Sequence, residues 1–379
     1  MRWLRWLVRG DDAPGAGEGA ASRAGGDAGL RVVRHAFETL QIDRQWSLRH
    51  ARGFTWWGHE QAQRVWADPP FERNGTVFTR VHAETEFLRS DTLDPRARRL
   101  LGTLLGMTAL SGAYRDARSG TVCLRSGATV HAGNESWLRL LFADAVALQA
   151  ADARDQAGPA ARLTGLPRAT SAHPRSGRRP APDEILDIVA YGRALAGGPE
   201  GAPWAGSEEF AAVAARLRRS GVVASGDGSG LSAEFGFGPN PGAVPHGDSA
   251  LLRLTPGRHP RHGSGLRLRL ALPVCEDERR LGLLPLELNA REGRARDGGH
   301  FLGSWCTAPD PDARFVTFAA FVPAIAHLPG LVQHLALSAA ARVRWADGRS
   351  ADPDPLRGLP RCFVPTGHPG PAGPAAPPS

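Results

Sequence analysis

The chain contains no lysine: all 46 of its basic residues are arginine. Tyrosine and methionine occur twice each, and isoleucine and asparagine are also scarce, whereas Ala, Gly, Pro and Arg abound. A GC-rich genome accounts for this bias, so the sequence pI of 10.5 is not in itself a sign of arginine chemistry. Long apolar runs are missing too. None approaches the ~18 residues of a membrane span, which excludes an integral helical membrane protein. The four cysteines, Cys123, Cys275, Cys306 and Cys362, form no Cys-x-x-Cys pair, which excludes a zinc ribbon or a dithiol redox motif. Four cysteines in so long a chain do not make a disulfide scaffold either. The opening Met1-Arg-Trp-Leu-Arg-Trp-Leu-Val-Arg-Gly10 is too short in its apolar stretch for a signal peptide, and the expected location is cytoplasmic.

What is present is an ordinary globular composition, 42% apolar and 22% charged over 379 residues, enough for about two domains. The formal charge of +8 is unevenly spread. Residues 153–182 carry six arginines and one acid, whereas 36–152 and 183–346 are close to neutral. A nucleic-acid groove needs positive charge clustered on a folded face, so no specific nucleic-acid partner is expected.

Composition divides the chain into a flexible leader (1–35), a first domain (36–152), a Pro/Arg-rich linker (153–182), a second domain (183–346) and a Pro-rich disordered tail (347–379). In the second domain, helical spacing begins at Asp183 and again at Ser207. A hairpin is expected around Gly226-Asp-Gly-Ser-Gly230, and a short strand over 249–254. Leu266, Leu268, Leu270 and Leu272 alternate with Arg267 and Arg269, the period of a strand wet on one face. A helix over 276–290, strands 300–306 and 313–322 and a helix from Pro329-Gly330 complete it. Phe315, Phe318 and Phe321 share strand 313–322 with Val316 and Val322, so both of its faces are expected to be covered. The first domain echoes this order. A helix is expected around Trp57–Trp66, then strand 76–88, a helix opening at Asp94-Pro95, strands 111–116 and 121–125, and a helix over 135–150. The predicted fold class is α+β, with two tandem domains, each an antiparallel sheet with helices packed on one face.

The αβββαββα order, the Leu-rich strand before the middle helix, and Gly303-Ser-Trp-Cys306 followed by Phe315-Val-Thr-Phe318 before the last helix resemble the bacterial type III secretion chaperone-like fold, best over 183–346. The resemblance implies a chaperone-like protein that binds a protein partner without catalysis, as a pseudo-dimeric monomer or a homodimer, and with no cofactor.

Three constellations could carry chemistry. Trp56, Trp57 and Trp66 crowd one stretch, and aromatics enrich binding surfaces, so they are the candidate partner-binding residues; burial in the core is the simpler alternative. His246, Asp248, His259 and His262 could ligate a metal, and Gly247-Asp248-Ser249 could present a nucleophile. His82, Glu84 and Glu86 lie on one strand face and could supply ligands or paired carboxylates, against the plainer reading of a solvated face. A metal-dependent or serine hydrolase built on these groups is the alternative to a binding protein. Gly226-x-Gly228-x-Gly230 precedes a strand rather than a helix, so it is a turn and not a dinucleotide fingerprint.

Overall fold

The computed structural model of the chain describes residues 27–104, 106, 108–195, 204–236, 249–273, 282–295, 300–307 and 315–346. They form an α+β structure of two antiparallel sheets, with seven and six strands, and seven α-helices among the described residues.

The first sheet follows helix α1 (Ala28–Thr39) and comprises β1 (Ser47–His50), β2 (Gly53–Trp57), β3 (Ala62–Ala67), β4 (Phe71–Arg73), β5 (Thr76–Arg89), β6 (Gly112–Asp116) and β7 (Thr121–Val130). Its order is β1-β2-β3-β5-β7-β6, with β4 paired to one end of the long β5. Helix α2 (Pro95–Leu104) connects β5 to β6. Asp94 opens α2, its Oδ1 accepting the Ala97 N–H at 2.7 Å, as a short acceptor ahead of Pro95 should. Helix α3 (Glu135–Thr164) crosses the inner face of the sheet. Leu138, Leu141, Phe142 and Val146 of α3 share a core with Phe54, Trp56, Val65, Val81 and Ala128 of the strands. Gly29 lets α1 lie close to the sheet; a Cβ there would stand 2.3 Å from Thr79 Cγ2.

The second half contains α4 (Glu184–Leu195), α5 (Glu209–Arg219), β8 (Val223–Asp227), β9 (Gly230–Gly236), β10 (Ser249–His259), β11 (Gly263–Pro273), α6 (Leu284–Glu292), β12 (Ser304–Thr307), β13 (Phe315–Pro323) and α7 (Leu331–Ala346). The sheet order is β12-β13-β11-β10-β9-β8. The Leu/Arg alternation of β11 sets the register. Leu270 faces Leu252 on β10 and Phe318 on β13, and Phe318 in turn faces Trp305 on β12. That row is buried, while Arg269 on the opposite face is exposed. Phe318 and Phe321 are both buried, from opposite sides of β13, so this strand is covered on both faces. The Gly226–Gly230 segment is the β8–β9 hairpin, with Gly230 at φ +150°.

Several expectations are corrected. The helix expected around Trp57–Trp66 is the β2–β3 hairpin; aromatic and β-branched side chains there favour a pleated surface. Four strands lie between α5 and α6, matching the four segments expected there but one more than the αβββαββα order holds. The leader ends earlier than composition suggested, since residues 28–35 belong to α1. The linker is not a linker at its start. Residues 153–164 are the last turns of α3, with Pro159 inside the helix and Gly165 closing it at φ +73°. Alanine is the best helix former, and Ala153, Ala157 and Ala160, three to four residues apart, are buried against Phe87, Leu88, Val122 and Leu124. Residues 165–183 then run along the first sheet. Arg89 N–H donates to Pro167 O at 2.9 Å, Ala169 N–H to Phe87 O at 3.1 Å and Asp183 N–H to Gly58 O at 2.7 Å. Three of the six arginines of residues 153–182 are in ion pairs: Arg154 with Asp155 and Asp187, Arg168 with Glu60, and Arg179 with Asp43 and Asp183.

The two sheet-based domains share one apolar core that includes α1, α3, α5 and α7. Backbone bonds stitch them together, from Gly127 N–H to Phe301 O at 2.7 Å and from Phe321 N–H to Ala109 O at 2.9 Å. Asn289 on α6 is fully buried and completes the seam. Its Oδ1 accepts the Trp305 N–H at 2.8 Å, and its Nδ2 donates to Ala113 O on β6 at 2.9 Å. No helix among the described residues is long and apolar enough to cross a membrane.

Candidate functional site: an arginine-lined cleft

The face of the first sheet turned away from α3 carries charge instead of apolar side chains. Antiparallel register places Thr55, Arg64, Glu84 and Arg125 in one row across β2, β3, β5 and β7. Gly112 on β6 ends the row opposite Arg125. With alternate residues pointing to one face, this row becomes a continuous hydrogen-bonded network. Glu84 Oε1 accepts from Arg64 Nη2 at 2.6 Å, and its Oε2 accepts from Arg125 Nη2 at 2.7 Å and from the Tyr114 hydroxyl. Arg125 Nη2 also donates to Tyr114 Oη at 2.7 Å, and its guanidinium lies 4.0 Å from the centre of the Tyr114 ring.

Burial opposes charge on Glu84. The Arg125 charge and the hydrogen bonds from Tyr114, Arg125 and Arg64 outweigh it, so the carboxyl is held below its usual range and stays ionised. Burial pushes the Tyr114 hydroxyl far up, keeping it a neutral donor. Glu84 therefore acts as a bracket with one guanidinium on each oxygen.

Above this row the surface opens into a cleft of about 1200 Å³. Its walls carry six arginines, Arg52, Arg64, Arg115, Arg118, Arg125 and Arg294, against two acids, Glu84 and Asp116. Half-buried Trp66 adds aromatic surface, whereas Phe54 and Tyr114 border the cleft but are buried. Arg52 and Arg115 are partly committed to structure: Arg52 binds Ala67 O, Asp68 O and Asp27, and Arg115 binds Ser90 O and Asp91 O. Asp116 is occupied by the Arg118 N–H and the Ser119 hydroxyl. Arg118 and Arg294 are exposed, and their side chains form no hydrogen bond or ion pair among the described residues. Arg125 is buried, and its Nε and Nη1 have no hydrogen-bond partner among the described residues. The cleft thus holds more guanidinium than the protein itself uses.

The residues singled out from sequence fall in three different places. Trp56 and Trp57 are buried, so they are not an exposed binding surface. Trp56 Nε1 donates to Asp183 at 3.1 Å and Trp57 Nε1 to Ser171 Oγ at 2.9 Å, which anchors the 165–183 segment to the sheet. Trp66 alone lines the cleft. It is half-buried, stacks on His82 at 4.9 Å and donates to Asp68 Oδ1 at 3.2 Å. His82, Glu84 and Glu86 share the cleft-side face of β5, but that face is not solvated. His82 is buried, with Nε2 2.9 Å from Asp68 Oδ2, and burial lowers its affinity for a proton. Burial also raises the Glu86 carboxyl.

Of the expected metal set His246, Asp248, His259 and His262, only His259 and His262 lie among the described residues. His246, Asp248 and the Gly247-Asp248 half of the esterase-like motif lie outside them, and Ser249 begins β10. His259 and His262 are buried with rings 4.5 Å apart, and His262 Nε2 is 3.5 Å from Asp152 Oδ1 on α3. Burial, reinforced by the His262 charge, drives His259 down to about 3, so it stays neutral. No group of three or more His, Cys, Asp or Glu able to hold a metal occurs among the described residues. Cys123 and Cys306 are buried free thiols, and burial pushes both up, so they are unreactive. Cys275 and Cys362 lie outside the described residues.

Protein-family models, curated proteins and solved structures yield no match to this chain, so the cleft is interpreted from its own residues. Sequence reasoning missed Arg64, Arg118, Arg125 and Arg294. They belong to β3, the β6–β7 turn, β7 and the turn after α6, and only the sheet register brings them together. The one local signal was Arg125 within the otherwise apolar strand 121–125.

Proposed function

We propose that the protein is a non-enzymatic binding protein that captures an acidic segment of a protein partner in this cleft. The observation that carries the reading is the guanidinium excess: six arginines meet two carboxylates, and both carboxylates are already engaged. Arginine pairs with carboxylates through parallel N–H donors that a lysine cannot reproduce. Trp66 adds apolar contact beside the charges. The chaperone-like resemblance of 183–346 supports the same class of activity, although that region contributes only Ala290 and Arg294 to the cleft.

The test is fluorescence anisotropy with labelled twelve-residue peptides, one rich in Asp and Glu and one with the same residues changed to Asn and Gln. The acidic peptide is expected to bind and to weaken steeply with salt, because rim charges are screened. Arg118→Gln combined with Arg294→Gln is expected to reduce affinity at least tenfold with the melting curve unchanged, since neither side chain supports the fold. Equal binding of the two peptides, or an unaffected variant, contradicts the reading.

A further inference from the structure

The base of the cleft has a feature that a general attraction for acidic chains does not require. Arg125 is only 6% exposed, and one of its guanidinium nitrogens is fully used by Glu84 and Tyr114. The remaining two, Nε and Nη1, have no hydrogen-bond partner among the described residues. A buried guanidinium edge left unmatched is costly. It is also fixed in place, because Glu84 grips one end and the Tyr114 ring lies beneath it. Gly293 keeps room beside it: a Cβ there would come within 2.8 Å of Arg125 Cδ and 3.3 Å of Nη1. Arg64 is held to the other oxygen of the same carboxylate, and Arg294 follows directly after Gly293 on the cleft wall.

Building on the acidic-segment reading, we infer that the floor of the cleft, formed by Arg64, Arg125 and Arg294, is a seat for a phosphorylated side chain of that segment. A carboxylate brings one negative charge and two acceptor oxygens. A phosphoserine or phosphothreonine brings up to two charges and three acceptor oxygens, and opposite an arginine cluster it makes several charge-assisted hydrogen bonds at once. Three guanidiniums lining one concavity, with a single carboxylate behind two of them, match the larger anion. A nucleic-acid backbone is a poorer match, because its phosphates need a track of cations along a surface, whereas these three line a single concavity. Glu84 is a positioning residue here: it touches no ligand and sets the spacing of Arg64 and Arg125.

The experiment uses the full chain and three peptides of one acidic sequence, with serine, aspartate or phosphoserine at the centre, and follows binding by anisotropy. The phosphoserine peptide is expected to bind at least tenfold more tightly than the other two. Arg294→Gln is expected to erase most of that difference while leaving the serine peptide within about threefold of wild type. Because Arg125→Gln could unfold the protein by stranding Glu84, the paired change Glu84→Gln with Arg125→Gln is the second variant, and loss of phosphoserine preference is expected there too. Equal affinity for the serine and phosphoserine peptides overturns the seat while leaving the acidic-segment reading intact. Failure of all three to bind overturns both. Inorganic phosphate displacing the phosphopeptide at equal concentration would show a small-anion site instead. A single-stranded RNA of matched charge that binds more tightly than the phosphopeptide also overturns the inference.

Discussion

Asp144 sits on α3 with no hydrogen-bond partner among the described residues, and burial pushes its carboxyl up to about 7. A carboxyl raised in the folded state binds protons that the unfolded chain has already released. Its ionisation therefore destabilises the fold above pH 7, and this cost disappears as pH falls towards the unfolded value near 4. Asp144→Asn is expected to stabilise the protein by about 1–3 kcal/mol at pH 8, with the gain shrinking at pH 5. Urea unfolding at both pH values checks this; an equal gain at each would show that ionisation is not the cause. The histidines work in the opposite sense. Burial holds His131, His300 and His334 below their usual range, His300 down to about 3. The unfolded chain takes up protons that the folded one refuses, so their contribution falls as pH drops below about 6.5. Single residues were the level least legible in sequence. Glu84 reads as an exposed strand carboxylate until the register sets arginines on either side of it.

At the level of elements, legibility depended on whether local pattern and tertiary environment agreed. The β11 alternation, the Asp94-Pro95 start of α2 and the glycine turn of β8–β9 all follow local rules, and each appears where those rules put it. The β2–β3 hairpin escapes a local reading because each run is too short to show alternation; the apolar residues at 54, 56, 57, 65 and 66 are scattered round a helical wheel, which already argues against the expected helix. The end of α3 was misread because an Ala/Gly/Arg/Pro sequence describes a buried small-residue helix and a linker equally well. Packing against Phe87 and Leu124 decides for the helix, and no local signal carries that information. The same dependence on distant partners marks the seam at α6. Asn289 serves β6 and β12 at once, so Asn289→Ala leaves a buried carbonyl and a buried N–H unpaired. A loss of about 2–4 kcal/mol is expected in denaturant unfolding, the range for unsatisfied buried groups. A loss below about 0.5 kcal/mol would show that the two sheet edges are held by packing alone.

For the whole molecule, composition divides the chain at 153–182, whereas the structure runs one core through both sheets. Sequence reading expects residues 183–346 to fold alone. The shared core leads to the opposite expectation: that fragment would expose the apolar surface that α3 covers, and it should lack a cooperative melt. The intact chain should unfold in one transition, and calorimetry of fragment and full chain decides between the two. Charge behaves in a similar way at this scale. In the segment with the largest positive excess three of six arginines are tied up in ion pairs with Asp187, Glu60 and Asp183, while the nearly neutral first domain supplies five of the six cleft arginines.

Hydrogen exchange read by mass spectrometry, with and without a saturating acidic peptide, tests the cleft most directly. Added protection is expected over β3, the β6–β7 turn with the start of β7, and the turn around residues 290–294, with the rest of the molecule unchanged. Protection confined instead to the apolar groove between α5 and α7, around Leu217 and Leu337, or no change in the cleft peptides, would contradict the assignment of the arginine cleft as the binding site.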